Sequence, residues 1–262
     1  MNEFSGPELP KAPVLVWFRN DLRVADNLAL LTASQSGQPV LPVYVLEDDD
    51  EAVPLGGAQR WWLHHSLSAL AKRLEKLGAP LILRRGDPAK ILPALVEETG
   101  SGSVLWNRRY APALTAGDAE LKSKLRDKGV TVESFDGQLL HEPTRLKTGS
   151  GGPYRVYTPF WRAFGESCDP RPPVVAPKSL QAPDTELGSD DLDSWSLLPA
   201  KPDWAKEIAA EWTPGEDGAH HRLDRFLEEA IDVYDDKRDF PGREHTSRLS
   251  PHLAFGEITP FQ

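Results

Sequence analysis

The chain carries a single cysteine, Cys168, among its 262 residues, so no disulfide can form within it. A reducing cytoplasm is the expected setting, and nothing around Cys168 supplies the electropositive surroundings of a reactive thiolate. No run approaches the roughly 20 apolar residues of a membrane span. The first seven residues lack a basic stretch followed by an apolar one, so no secretory signal is expected. Positive charge is also short. Lys and Arg number 30 against 40 Asp and Glu, and the net charge of −10 argues against a surface coated for nucleic acid. The acid is concentrated in residues 47–51 and 184–193, whereas residues 237–248 hold four basic and two acidic side chains. One basic groove on an acidic protein is therefore allowed.

Several nucleotide fingerprints are missing. After the apolar run Val14-Leu15-Val16-Trp17-Phe18 comes Arg19-Asn20-Asp21-Leu22-Arg23, not G-x-G-x-x-G, which argues against a nicotinamide dehydrogenase. No G-x-x-x-x-G-K-[ST] and no G-x-S-x-G elbow occurs, and Cys/His metal spacing is absent, so no metal site is expected. His64 and His65 project about 100° apart on a helix and make a poor ligand pair.

What is present is a regular alternation of strand and helix signals over residues 13–136. Short apolar runs at 14–18, 40–46, 81–84, 104–107 and 130–135 read as strands buried on both faces of a sheet. Between them, Asp26 reads as the cap of a helix reaching about Ser36. Leu63, Leu67, Leu70, Leu74 and Leu77 form one stripe on a helix from about Ala58, closed by Gly78. Asp87-Pro88 opens a third helix, and residues 114–128 form a fourth. Five strands and four helices imply an α/β fold, a Rossmann-like doubly wound parallel sheet. Residues 169–218, rich in Pro, Asp and Ser, read as a long connection over the surface, and helical signal resumes at 220–231.

Three features could carry chemistry. Residues 246–251, Thr-Ser-Arg-Leu-Ser-Pro, set three hydroxyls and a guanidinium ahead of a helix start. That suits a phosphate, although Ser and Thr also cap helices that bind nothing. Arg19, Asn20, Asp21 and Arg23 at the end of the first strand could grip a ligand or pair among themselves. Trp61 lies about 160° from the leucine stripe, so it either packs beneath the connection or stacks on a planar ligand.

The residues from Val16 to Arg23, followed by Asp26-Asn27, resemble the opening of the DNA photolyase and cryptochrome family. Gly149-Ser150-Gly151-Gly152-Pro153-Tyr154 with Tyr157-Thr158-Pro159-Phe160 resembles that family's junction after the sheet domain. Arg238-Asp239-Phe240-Pro241, then residues 246–253 and Gly256, resembles the start of its helical flavin domain.

The resemblance implies an antenna-chromophore domain over residues 1–136, an interdomain connector over 137–218 and the beginning of an α-helical FAD-binding domain over 219–262. It places Tyr234, Thr246, Ser247, Arg248, Leu249 and Ser250 against FAD and Arg238 against DNA phosphate. Arg19, Asp21, Trp61 and Asn107 become candidates for the antenna, methenyltetrahydrofolate or a deazaflavin. Where folate-binding members carry Glu after the fourth strand's Tyr, this chain has Tyr110-Ala111. The implied activity is that of a deoxyribodipyrimidine photo-lyase, a monomer that splits cyclobutane pyrimidine dimers in damaged DNA by electron transfer from light-excited reduced FAD. A blue-light cryptochrome shares the same motifs. A nucleotide-binding domain of electron-transfer-flavoprotein type would explain residues 13–136 but not 234–250. The electron-transfer tryptophans and the dimer pocket are expected beyond Gln262. The chain is thus expected to be a truncated form that alone neither holds FAD tightly nor repairs DNA.

Overall fold

In a computed structural model, residues 6–47, 55–143, 145–185 and 187–262 are described. Of the acidic run at 47–51, only Glu47 falls among them, and Glu186 of the second acidic stretch also lies outside. Five strands, β1 (Val14–Phe18), β2 (Val40–Leu46), β3 (Ile82–Arg85), β4 (Ser103–Asn107) and β5 (Thr131–Phe135), pair in parallel in the order β3-β2-β1-β4-β5. Pro42, which lacks an N–H, stands opposite Val16 of β1, and the ladder to β3 begins one residue later at Val43. The helices α1 (Leu28–Gln35), α2 (Gly57–Leu77), α3 (Pro88–Thr99) and α4 (Pro112–Asp127) link successive strands.

Alternation along β1 feeds two cores. Val14, Val16 and Phe18 meet Leu30 of α1 and the α2 leucines Leu63, Leu67, Leu70 and Leu74. Leu15 and Trp17 meet Leu92 and Leu95 of α3 and Leu121 and Leu125 of α4 on the other face. Burying each such leucine contributes about 1.5–3 kcal/mol relative to exposure, an upper bound on the folding term. Gly78 closes α2 at φ 102°, and Asp87 caps α3 by accepting from the Ala89 amide, as the sequence indicates. The cap of α1 differs. Asn27, not Asp26, accepts from the Leu30 amide. Asp26 has φ 49° and a buried carboxylate that pairs with Arg171 at 2.5 Å and accepts from the Val174 amide at 2.9 Å and the Thr259 hydroxyl at 2.7 Å.

The connection after β5 is more ordered and less superficial than its composition suggests. It contains α5 (Tyr157–Ser167), a 3-10 turn at Leu192–Trp195 and α6 (Lys206–Glu211). It is stitched to the sheet unit by Leu180 N to Leu77 O, Val40 N to Gln181 O and Asp190 N to Leu83 O. Trp195 and Leu197 enter the first core. Three further helices follow, α7 (Glu216–Glu229), α8 (Tyr234–Lys237) and α9 (Ser250–Phe255). No described helix is long and apolar enough to cross a membrane.

Candidate functional site

Residues 246–251 run from an exposed loop into α9. Pro251 occupies the first turn of α9, Leu249 precedes it without a side-chain cap, and Arg248 has φ 52°, an unusual conformation outside glycine. Among the described residues the hydroxyls of Thr246, Ser247 and Ser250 make no hydrogen bond, so their donors are available. Tyr234 and Ser247, thirteen residues apart in sequence, line one cavity of about 390 Å³ together with Phe226, Ile231, Asp232 and Asp235. The Arg248 guanidinium is turned elsewhere. It lies 4.7 Å from the Trp212 ring, which Arg222 also approaches at 4.6 Å, and it reaches Glu244 at 3.2 Å. Arg238 is exposed and sits over the Tyr234 ring at 5.5 Å.

α9 is held by a buried cluster that sequence reasoning missed. Glu257 accepts from Trp62 Nε1 at 2.9 Å and the Gly215 amide at 2.7 Å, and its other oxygen meets His252 Nδ1 at 2.5 Å. Trp62 stacks on Phe255 and packs edge-on against Trp212 and His252. At the start of α7, Glu216 accepts from the Val24 and Ala25 amides, both at 3.0 Å, and pairs with Arg73 at 3.3 Å. A lone Glu at a helix start reads only as a charge favourable to the dipole, so the sequence carried no signal for this role.

The loop after β1 docks against the far end of α9. Leu22 donates its amide to Phe255 O at 3.1 Å, and Arg23 Nη1 donates to Gly256 O at 2.9 Å. Arg23 also donates to Asp26 O and Gly137 O, is fully buried, and burial lowers its pKa from the ordinary arginine value. Gly256 has φ 65°, and a Cβ there would lie 2.0 Å from Asn20 O. Only glycine fits.

The antenna candidates fall into two places. Arg19 pairs with Asp118 at 2.7 Å, donates to Asn107 O, and its amide donates to Asp21. Asn107 Nδ2 donates to Asp21 at 2.7 Å and Asn27 at 2.9 Å. Arg109 joins Asp118 to Glu47, each at 2.6 Å. Burial outweighs Asp118 and lowers the Arg19 pKa. At Arg109 burial acts in the same sense, but Asp118 and Glu47 outweigh it and hold that guanidinium above its ordinary value. Both cations lie over Trp17. Arg19, Asp21 and Asn107 therefore take the self-paired alternative, at the carboxyl ends of β1 and β4, beside a small cleft of about 120 Å³ over Trp17.

Trp61 is on a different side. It is 4% exposed and packs against His65, Trp62 and Ala205 beneath the connection, which is the packing alternative. At Tyr110 a carboxylate does arrive, from the connector. Tyr110 donates to Glu142 at 2.5 Å, and burial followed by Glu142 pushes its pKa above the ordinary tyrosine value. No group of three or more His, Cys, Asp or Glu that could hold a metal occurs among the described residues.

The sequence pattern of the DNA photolyase family matches residues 14–178. The deoxyribodipyrimidine photo-lyase of Agrobacterium fabrum is 59% identical over 252 residues, covering 96% of this chain and 52% of that protein. Cryptochrome-1 of Arabidopsis thaliana is 32% identical, over 94% of this chain and 36% of its own length. The crystal structure of a class III photolyase from Agrobacterium tumefaciens superposes with a TM-score of 0.92 at 58% identity, over 97% of this chain and 52% of that one. The chain thus spans about half the length of the photolyases it resembles most among these. The β1 loop and the α9 segment, remote in sequence, meet in one junction within a fold shared almost throughout with a solved photolyase; the chain belongs to the DNA photolyase family.

Proposed function

We propose that this chain forms the amino-terminal half of a light-driven deoxyribodipyrimidine photo-lyase, with residues 1–136 as the antenna domain, 137–218 as the connector and 219–262 as the first part of the flavin domain. The observation that carries this reading is the convergence of Tyr234 and Ser247 on one cavity, with Thr246 and Ser250 in the same short segment as Ser247. This donor set fits FAD. Hydroxyls and the unpaired amides ahead of α9 suit its phosphates, and Tyr234 offers an aromatic edge. Arg248 would reach a phosphate only by exchanging Glu244 for it, and Leu249 would contribute backbone. Bound reduced flavin would supply the light-excited electron that splits a cyclobutane pyrimidine dimer. This chain's own residues would help bind and orient the cofactor. Arg238, exposed on α8's rim, would meet DNA phosphate.

For the antenna, methenyltetrahydrofolate or a deazaflavin, the favoured place is the carboxyl ends of β1 and β4, where the strand order reverses and α/β sheets bind their ligands. Trp61, 4% exposed, lines a separate cavity of about 240 Å³ with His65 and Ala205, away from those strand ends. A monomer in a reducing cytoplasm remains the proposed setting, resting on the single cysteine.

The identity to Arabidopsis Cryptochrome-1 supports a second reading, a photoreceptor that repairs nothing. One experiment divides them. The chain is joined in frame to the carboxy-terminal half of the Agrobacterium fabrum photolyase, reduced, and illuminated with an oligothymidylate carrying cyclobutane dimers. Light-dependent loss of dimers is expected. A joined protein that retains flavin yet leaves every dimer intact would overturn the repair reading in favour of the photoreceptor.

A further inference from the structure

Glu257 is completely buried, yet its carboxylate gathers three elements. Oε1 accepts from Trp62 Nε1 of α2 at 2.9 Å and from the Gly215 amide, just ahead of α7, at 2.7 Å. Oε2 lies 2.5 Å from His252 Nδ1, in the first turn of α9. The Glu257 amide also donates to His252 O at 2.9 Å. Backbone and side chain of one residue therefore both hold His252, and they close α9, which at six residues is too short to keep its shape alone. The His252 ring is itself fully buried, and its Nε2 has no partner, so Glu257 is the ring's one polar contact among the described residues. Trp62 carries the grip further. Its ring packs edge-on against Trp212 at 5.4 Å, and the Arg248 guanidinium rests on Trp212 at 4.7 Å.

Two routes thus run from one carboxylate to the segment 246–251. His252 leads to the turn that begins at Ser250, and Trp62 with Trp212 leads to Arg248. A buried carboxylate costs more than hydrocarbon of the same volume. What it delivers here is direction, because each of its bonds admits one geometry and a satisfied buried network rigidifies what it joins. We propose that Glu257 is a positioning residue for the phosphate-facing segment: it sets the Ser250 turn through His252 and the ring on which Arg248 rests through Trp62. The inference deepens the flavin reading and rests on it for the identity of the ligand; that Glu257 fixes the turn stands apart from it.

The test has two arms. In this chain alone, Leu253 N donates to Leu249 O at 2.9 Å and closes the first turn of α9. Glu257→Gln keeps the volume and an acceptor for Trp62 and Gly215 but withdraws the charge from His252. Exchange of the Leu253 amide, relative to the β1 amides, is expected to quicken by about tenfold or more. Trp62→Phe leaves the carboxylate and removes one of its donors; it should act in the same direction, and it takes over the test if the glutamine variant does not fold. The second arm uses the chain joined to the carboxy-terminal half of the Agrobacterium fabrum photolyase, well below the Tm of every variant. Glu257→Gln and Ser250→Ala are each expected to weaken flavin binding by about tenfold, and together by little more than either, because a displaced Ser250 has no bond left to lose. Unchanged exchange at Leu253, or a Glu257→Gln protein that binds flavin as tightly as the parent, would overturn the inference. So would losses that multiply to about a hundredfold, which would make Glu257 a general support of the fold. A joined parent that holds no flavin defeats the flavin reading alone, and exchange at Leu253 then decides whether Glu257 sets the turn.

Discussion

Replacing Gly256 by alanine should disconnect the β1 loop from α9. The added Cβ would lie 2.0 Å from Asn20 O and 2.6 Å from both Asn20 C and Asp21 Cα. These are backbone atoms in a loop fixed by Arg23 and by the Asp21–Asn107 bond, so no side chain can swing away. At φ 65° the left-handed conformation adds about 1–2 kcal/mol for a residue with a Cβ, and overpacking about 1–3 kcal/mol more. The total, about 2–5 kcal/mol, translates at roughly 2–4 °C per kcal/mol into a Tm lowered by about 4–20 °C. The damage has an address. The Leu22 amide, which donates to Phe255 O at 3.1 Å, should lose its protection from hydrogen exchange before the β1 amides do. Gly242→Ala is the control, since that Cβ would meet nothing within 4 Å. A Gly256→Ala protein melting within about 1 °C of the parent, with the Leu22 amide still protected, would refute the reasoning.

Asp118→Ala removes the carboxylate shared by Arg19 and Arg109 and leaves a buried guanidinium unpaired, at a cost of about 3–5 kcal/mol. Urea unfolding should show it, with part of the loss recovered by adding Arg19→Met. His64 and His65 both have pKa values lowered by burial, opposed at His64 by Asp193 and reinforced at His65 by His64. As pH falls the unfolded chain takes up these protons first, so their contribution is complete above about pH 6.5 and is lost below it. The double change His64→Gln, His65→Gln should flatten the decline in Tm between pH 7 and the acid limb, and an unaltered slope would count against the assignment. In a full-length form, Arg238→Ala should weaken binding to dimer-containing DNA and reduce the slope of log K against log salt by about 0.9, as loss of one phosphate contact requires. An unchanged slope would remove Arg238 from the DNA face.

The sheet was legible because its signals are local. Strand runs, the Asp87-Pro88 start and the Gly78 stop each act within a few residues, and each operates as the sequence indicates. α5 was not legible. Its eleven residues include Pro159, Gly165 and four aromatics, a weak helical composition, and Pro159 is tolerated because it falls in the first turn where its missing N–H has no partner to lose. Asp26 and Asn27 are equally good caps by composition. What decides between them is Arg171 and Thr259, 145 and 233 residues away, and no local pattern reports such partners. The same applies to Glu216 and Glu257, whose partners come from the β1 loop, α2 and the start of α7.

The charged run after β1 is the instructive case. In an α/β sheet, Arg-Asn-Asp-Leu-Arg at the carboxyl end of the central strand reads as a ligand grip. Here most of its groups are spent on the protein: Arg19 on α4 and β4, Asp21 on β4, Asn20 on α9 and Arg23 on the Gly256 cap that follows it. Glu216 adds a carboxylate held by the Val24 and Ala25 amides and Arg73, and Glu257 ties Trp62 of α2 to Gly215 and His252. Buried charges that are satisfied solely by a neighbouring unit make its displacement expensive, because each would be left unpaired. The carboxyl end of α9 and Gly256, just after the segment 246–251, are therefore fixed relative to the sheet before any cofactor arrives. A hydroxyl-rich strand held in place by groups outside itself can keep its donors unpaired, which is the condition under which they are of use to a phosphate.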